Sequence, residues 1–565
     1  EGDTSTQHPE PINNPIILFF DKPSTEVRDQ IPKWSFCFGQ APVVIINTSD
    51  LEPLDIYHGY KFESDHNYLL KSIDTDINNF SLINLTLGRT WKTLYQKHFK
   101  NVPKVDKYLL SNIIDARRIL IAVDGYNLEP KIANRLIGRL LFIRYLIDRH
   151  VEFKNQSYIK GESKVDRQNS LNNLIKDKES LYSFFWYLTN KYEGDLFPLY
   201  EEIVDIETGE LQVIYDEKSS VSDEHLEVLY HLFSGSHFFH DGESHKGYLV
   251  QPSLFMVYDF EVIPVELISN IYENFIGNKE ENDDVKLAKF RNKTKQFDIK
   301  AYYTPPFIVD YVLSQTVVPF LERSTNSDCR VLDPACGSGI FLVETLRKIV
   351  EKKIKIGAGT DNVLSNSELW RLLKENIFGI DIDSDAIEIT IFSLYVTLMD
   401  YKTPREIEDF KFEKLKGENL FGGSESDFFN TNALFNTRLQ KDKYLDFIVG
   451  NPPWGKVKSS RYESYIHTRN ELEIRGQVNI DLNKMPLVHP ELQLEIGNKE
   501  ISQAFLVRVS DFAYNPNLRI GLVVSGKCLY NSDSTSKNWR EYFLSNFVLD
   551  QVMELSCVNN KIVGG

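Results

Sequence analysis

From about residue 296 onward, short apolar runs that end in an acid, a glycine or a small polar residue alternate with longer helical patterns. The runs are CRVLDP (329–334), NIFGID (376–381), LDFIVG (445–450), RIGLVVS (519–525) and FVLDQVMEL (547–555). No other feature constrains the fold as strongly. Strands separated by helical crossovers build a doubly wound, mostly parallel α/β sheet. Ligands of such sheets bind beyond the carboxyl ends of the strands. The residues directly after each run are therefore the ones to read for chemistry.

The preceding sequence has a different texture. Residues 1–110 alternate apolar runs, PIILFF and APVVIINTS, with polar turns, which predicts a small α/β domain. Residues 111–295 are predicted to be mostly helical: IANRLIGRLLFIRYLIDRH (132–150) and LYSFFWYLTNKY carry apolar residues at helical spacing. The charged stretch GNKEENDDVKLAKFRNKTK (277–295) is expected to be a linker or arm before a third domain, 296–565. A length of 565 residues suits two to four domains, and 42% hydrophobic with 26% charged residues is a globular composition. No run approaches the roughly 18 uncharged apolar residues of a membrane helix. NNPIILFF lacks a basic leader and a cleavage site, so it is read as a strand. Five scattered cysteines without a CxxC pair point to a reducing, cytoplasmic setting with no zinc knuckle. The net charge of −17 argues against nonspecific nucleic-acid binding by the body as a whole, though not against a basic cleft on it. The first residue is Glu and the last are NNKIVGG, so a piece of a longer chain is expected.

Three features carry chemistry. In VLDPACGSGIFLVETL (331–346) a strand ends in Asp333, passes through a turn with Gly337 and Gly339, and enters an apolar helix. Glycines there let the backbone approach a ligand, and the turn N–H groups face it. On its own such a turn is weak evidence of a nucleotide-like ligand. Asp381 follows the next strand directly, where an acid can accept hydrogen bonds from two ribose hydroxyls. Asp383 and Asp385 are as well explained as helix caps. The third feature is GNPPWG (450–455), a polar amide, a stiff corner and a large ring at the end of a buried strand.

AYYTPPFIVDYVL (301–313), DPACGSG (333–339), GIDID (379–383), GENLFG (417–422) and NPPW (451–454) occur in this order. Residues 300–555 thereby resemble the S-adenosylmethionine-dependent DNA amino-methyltransferases, in particular the adenine-N6 group in which a TPP segment precedes the glycine turn. The region before it is more loosely similar to the N-terminal parts of large restriction–modification and phage-defence methyltransferases. The resemblance implies a Rossmann-like methyltransferase domain acting on a flipped adenine in double-stranded DNA. It implies that Tyr303 and Thr304 contact the methionine end of S-adenosylmethionine. Asp333 and the turn Ala335–Gly339, with Gly337 and Gly339, line the cofactor. Asp381, with Ile382 beside it, holds the ribose. Asn419 stands where the family usually has Asp, on the cofactor's adenine amine, with the Leu420 N–H on the ring. The Asn451 oxygen and the Pro452 carbonyl accept from the target amine. Pro452 and Pro453 stiffen the corner. Trp454, where Tyr or Phe is commoner, stacks on the flipped base. No metal is implied. Specificity or defence-system subunits are the expected partners, and a sequence-reading region is expected beyond residue 565, so that the chain alone would modify DNA poorly.

Other readings stand beside this one. Cytosine-N4 transfer uses nearly the same amide logic, protein glutamine methyltransferases share the Asn-Pro-Pro-aromatic corner, and a catalytically silent scaffold is a different class. Cytosine-C5 chemistry needs a thiol where Asn451 stands. VDIETGELQVIYDEK (204–218), with Asp205, Asp216 and Lys218, matches a nuclease pattern only weakly and is better read as a charged hairpin. The histidines of 225–245 lack metal-site spacing. The basic residues of 91–118 and Arg135, Arg139, Arg144 and Arg149 fit either DNA phosphate contact or plain surface solvation. Cys336 is read as a packing residue.

Overall fold

The computed structural model describes residues 17–263 and 304–555 apart from internal stretches, of which 64–68, 95–104, 205–210, 241–247, 253–257, 358–363 and 475–488 are the longest. The expected linker 277–295, Tyr303 and Asp205 lie outside the described residues. The chain divides into two compact units where the sequence suggests three regions. One comprises 1–191, 197–271 and 403–409, and the other 192–196, 272–402 and 410–565.

In the first unit, β1 (Ile17–Asp21) and β2 (Val43–Asn47) pair in parallel, and β3 (Asp55–Glu63) and β4 (Leu69–Asp74) follow antiparallel, giving the order β1-β2-β3-β4. The helix Thr25–Phe38 supplies the β1–β2 crossover, started by a Ser24 cap and ended by Gly39 in the left-handed region. Strands and a crossover helix are thus both present between Ile17 and Asp74. Beyond it come helices, among them Val105–Ile121, Pro130–Asp148, Lys164–Ile175 and Asp223–Phe233. Two hairpins interrupt them, β5 (Tyr200–Val204) with β6 (Leu211–Asp216) and β7 (Ser236–His240) with β8 (Tyr248–Pro252).

The helix Pro130–Asp148 corrects one expectation. Every residue from Ile132 to Asp148 is buried, so Arg135, Arg139 and Arg144 face neither solvent nor phosphate. Arg139 grips Glu217 through both carboxylate oxygens (2.5 and 3.2 Å), and the Tyr182 hydroxyl donates to the same carboxylate at 3.1 Å. Arg144 pairs with Asp148 at 3.0 Å, and Asp148 also accepts from Gln168 (2.6 Å) and the Phe260 N–H (3.0 Å). A buried cation needs such a partner. Arg149 lies over the Tyr145 ring, 5.7 Å from its centre. The segment 204–218 holds the second strand of the expected hairpin. Asp216 caps a helical turn through the Ser219 N–H, and Lys218 pairs with Glu179 at 2.8 Å. His225 accepts from the Ser222 N–H at 2.9 Å, and its Nε2 lies 3.0 Å from the Tyr126 carbonyl. Among the described residues no group of three or more acidic, His or Cys side chains could hold a metal, and no helix is long and apolar enough to cross a membrane.

The second unit is built on a five-stranded, wholly parallel sheet of β9 (Val331–Asp333), β10 (Ile377–Asp381), β11 (Leu420–Gly422), β12 (Phe447–Gly450) and β13 (Arg519–Leu522). The order is β11-β10-β9-β12-β13, so the winding direction reverses between β9 and β12 and opens a crevice at their carboxyl ends. Leu332, Phe378, Ile380, Phe421 and Ile448 point to one face, against Phe428, Phe435, Phe505 and Phe512. The helices Ile340–Ile356 and Ser384–Met399 are packed in the same unit, the latter buried from Ile387 to Met399. One strand, β11, lies inside GENLFG, where none was expected. The run 547–555 is not a strand. Val548, Leu549, Val552 and Met553 are exposed, and the segment is tied by Arg519–Asp550 (2.8 Å) and Gln551–Tyr311 (2.7 Å). An apolar run becomes a strand only with a ladder partner, and none pairs with it among the described residues.

Residues 192–196 are stitched into this unit. The Tyr192 carbonyl accepts from the Phe412 N–H at 2.6 Å, and the Asp195 carboxylate accepts from the Leu415 and Lys416 N–H groups at 2.6 and 2.8 Å. Tyr395 stacks on Phe412 (4.2 Å between centroids) and accepts from the Asp195 N–H.

Candidate active site

The turn after β9 is held by its neighbours. Gly337 (φ 52°) and Gly339 (φ 84°) occupy the left-handed region that side chains other than glycine avoid. A Cβ on Gly339 would also lie 2.7 Å from the Thr390 methyl. Thr390 donates to the Gly337 carbonyl at 2.8 Å, and the Cys336 N–H donates to Ile380 at 2.9 Å. Cys336 is buried in this packing, as expected. The Gly337 N–H donates to Asp381 at 2.9 Å, and the Asp383 N–H donates to the other oxygen at 2.8 Å. Asp381 thus ties the glycine turn to the tip of β10 while remaining part-exposed, and Ile382 beside it is exposed. Asp383 caps the following helix through the Asp385 N–H, the capping role considered for it from sequence.

Asp333 is buried under the same turn and accepts from the Ala335 N–H at 3.0 Å. Burial pushes its carboxyl up to about 8, and the nearby Asp381 charge pushes in the same direction. The carboxyl also presses on β12. A Cβ at Gly450 would sit 2.5 Å from Asp333 Oδ1, so the residue before Asn451 has to be glycine.

The corner Gly450–Gly455 is fastened at several of its polar groups. The Val523 N–H donates to the Gly450 carbonyl at 3.0 Å. Asn451 donates from Nδ2 to Thr304 Oγ1 at 3.0 Å, while its Oδ1 is buried with no partner. Pro452 is buried, Pro453 exposed and Trp454 half-buried. The Trp454 indole N–H donates to the Val523 carbonyl at 3.0 Å, just past the end of β13. The Gly455 N–H donates to the buried Glu500 carboxylate at 2.5 Å, and Gly455 accepts from the Ile501 N–H at 3.0 Å. Val523, Glu500 and Thr390 were not singled out from sequence. A backbone carbonyl and a lone acid before a helix leave no readable pattern.

Two expected cofactor residues sit elsewhere. Asn419 lies at the amino end of β11, where it donates both N–H groups to the Lys374 and Ile377 carbonyls (2.9 and 2.8 Å). The Leu420 N–H is taken by the Leu415 carbonyl at 3.0 Å. Asn419 was expected to accept through its oxygen and Leu420 to donate through its N–H, but both lie at the amino end of β11 and not at its tip. The tip level with Asp381 is Gly422. Thr304, Asp333, Ala335, Gly337 and Gly339 join Asp381, Ile382 and Asn451–Trp454 at the carboxyl ends of β9, β10 and β12 or in contact with them.

Several known proteins are similar to this chain. Over 224 residues it is 30% identical to the type II restriction enzyme and methyltransferase RM.Eco57I of Escherichia coli, covering 35% of this chain and 22% of that protein. Over 181 residues it is 25% identical to the adenine-specific methyltransferase PglX of Streptomyces coelicolor, covering 27% of this chain and 14% of that protein. The chain thus spans less than a quarter of these curated relatives. The structure of the type IIL restriction-modification enzyme MmeI in complex with DNA aligns with a TM-score of 0.40 and 16% identity, covering 75% of this chain and 51% of that one. Residues 375–560, which hold β10 to β13 and the GNPPWG corner, match the family described as Eco57I restriction-modification methylase.

Proposed function

We propose that this chain transfers a methyl group from S-adenosylmethionine to the N6 amine of adenine in double-stranded DNA, as part of a restriction–modification or related defence system. The observation that carries this is the Asn451 side chain: its oxygen is buried and unpaired at the crevice, while its nitrogen is engaged by Thr304. A buried acceptor without a donor costs about 1–3 kcal/mol, which a substrate amine would relieve. Similarity to methylases, one of them named adenine-specific, supports the choice of reaction and base.

The glycine turn and the Asp381 carboxylate fit an adenosyl group: a close backbone approach beside an acid with acceptor capacity for ribose hydroxyls. Asp333, Ala335, Gly337, Gly339, Asp381 and Ile382 would hold it. When bound, S-adenosylmethionine supplies a methyl carbon that the amine nitrogen attacks as the carbon–sulfur bond breaks, leaving S-adenosylhomocysteine and a proton released to water. The exocyclic amine is a poor nucleophile because its lone pair is delocalised into the ring. Asn451 Oδ1 and the Pro452 carbonyl would accept its two N–H bonds and draw the nitrogen toward a tetrahedral shape. Trp454 would stack on the base once it has left the duplex. Positioning and oriented dipoles do the catalysis.

The test uses the intact protein, labelled S-adenosylmethionine and genomic DNA free of adenine methylation, digested to nucleosides afterwards. N6-methyldeoxyadenosine is expected. Asn451→Ala should abolish its formation while calorimetry shows cofactor affinity retained. Label recovered as N4-methyldeoxycytidine, or in protein alone, would overturn the assignment of adenine.

A further inference from the structure

The side-chain amide of Asn451 has two nearly isosteric ends, and only one serves the reaction. Turned by half a revolution, it would present two N–H donors where it now presents an oxygen. A target amine is itself a donor, so that reversed amide would repel it. A hydroxyl at the other end can pair with either, so the orientation held depends on that contact together with the groups then left bare at the crevice.

That contact is Thr304 Oγ1, 3.0 Å from Nδ2. Thr304 is 7% exposed and reaches β12 from 147 positions earlier in the chain, just before the helix Pro306–Gln315. We propose that Thr304 is a positioning residue: its hydroxyl fixes the Asn451 amide with the oxygen toward the target amine. This rests on the reading of Asn451 as the amine's acceptor. With Thr304 accepting from Nδ2, the group left unpaired is one carbonyl oxygen. In the reversed orientation both N–H donors would be left facing the crevice, and buried unpaired N–H groups are rarer than under-satisfied carbonyls. Without the hydroxyl neither end has a partner, and the preference disappears. The role differs from the cofactor contact that the family resemblance implies for the same residue. It acts on the catalytic amide and hence on rate.

The experiment compares Thr304→Val and Thr304→Ser in the intact protein. Cofactor affinity is read by calorimetry, and the rate by single-turnover methylation of the same genomic DNA at saturating S-adenosylmethionine. Thr304→Val should slow the single-turnover rate roughly tenfold, with cofactor affinity within about twofold of wild type. Thr304→Ser, which keeps the hydroxyl, should restore the rate. Should the valine protein fail to fold, Thr304→Ala removes the same hydroxyl with less bulk and gives the same contrast. A wild-type rate without the hydroxyl overturns the proposal. So does a loss of cofactor affinity with the saturated rate intact, or a serine variant as slow as the valine one. If wild-type protein makes no methyladenine, the reading of function fails before Thr304 is varied. If it does and Thr304 proves indifferent, only this inference fails.

Discussion

Asp333 sits in an environment far from its solution chemistry. Unfolded, its carboxyl loses a proton near 3.8, whereas in the fold burial holds it up to about 8. Between those values the unfolded state binds fewer protons, so this residue makes stability fall as pH rises, and the effect levels off above about 8. Asparagine keeps the acceptor for the Ala335 N–H and cannot titrate. Asp333→Asn should therefore gain on wild type as pH rises from 5 to 8, measured by urea unfolding at both values. An equal difference at the two pH values would mean the carboxyl is not held neutral. At this scale the sequence was legible in placing Asp333, Asp381 and Asn451 at the ends of their strands. It misplaced Asn419, which lies at the amino end of β11 with its side-chain N–H groups given to two carbonyls of the neighbouring helix–strand junction. Only the register of β11 decides that, and register is a tertiary property.

The corner after β12 behaves as an element in its own right because three parts of the unit fasten it. Tryptophan at 454 offers a flat face, as Tyr or Phe would. The indole N–H also donates to the Val523 carbonyl and locks the ring to the tip of β13. Trp454→Phe keeps the face and loses the lock, which should lower kcat/KM by about 0.5–1.5 kcal/mol, or roughly 2- to 12-fold. Steady-state methylation measures it, and an unchanged value would make the indole nitrogen irrelevant. Four of the five predicted strands formed because each apolar run had a parallel neighbour. The fifth, 547–555, has the same composition and no ladder. The helix Pro130–Asp148 shows the complementary limit. Its period was plain, but arginines at exposed-looking positions were buried against acids up to 78 residues away.

For the whole molecule, the texture of the sequence separated an α/β start, a helical middle and a doubly wound end. Compactness instead groups the first two and lends residues 192–196 to the sheet unit. Five residues carry too little pattern to announce such a loan. The Asp195 carboxylate is the strongest tie in that strap, accepting from two backbone N–H groups. Asp195→Ala should cost about 1–3 kcal/mol in urea unfolding and speed hydrogen exchange at the Leu415 and Lys416 amides. Unchanged exchange at those two amides would show that the strap does not hold them. The sheet unit is thus assembled from three separate stretches of chain. Its gene has no single breakpoint at which this body could be exchanged between proteins as one cassette, and any graft that begins after residue 272 leaves its own clasp behind.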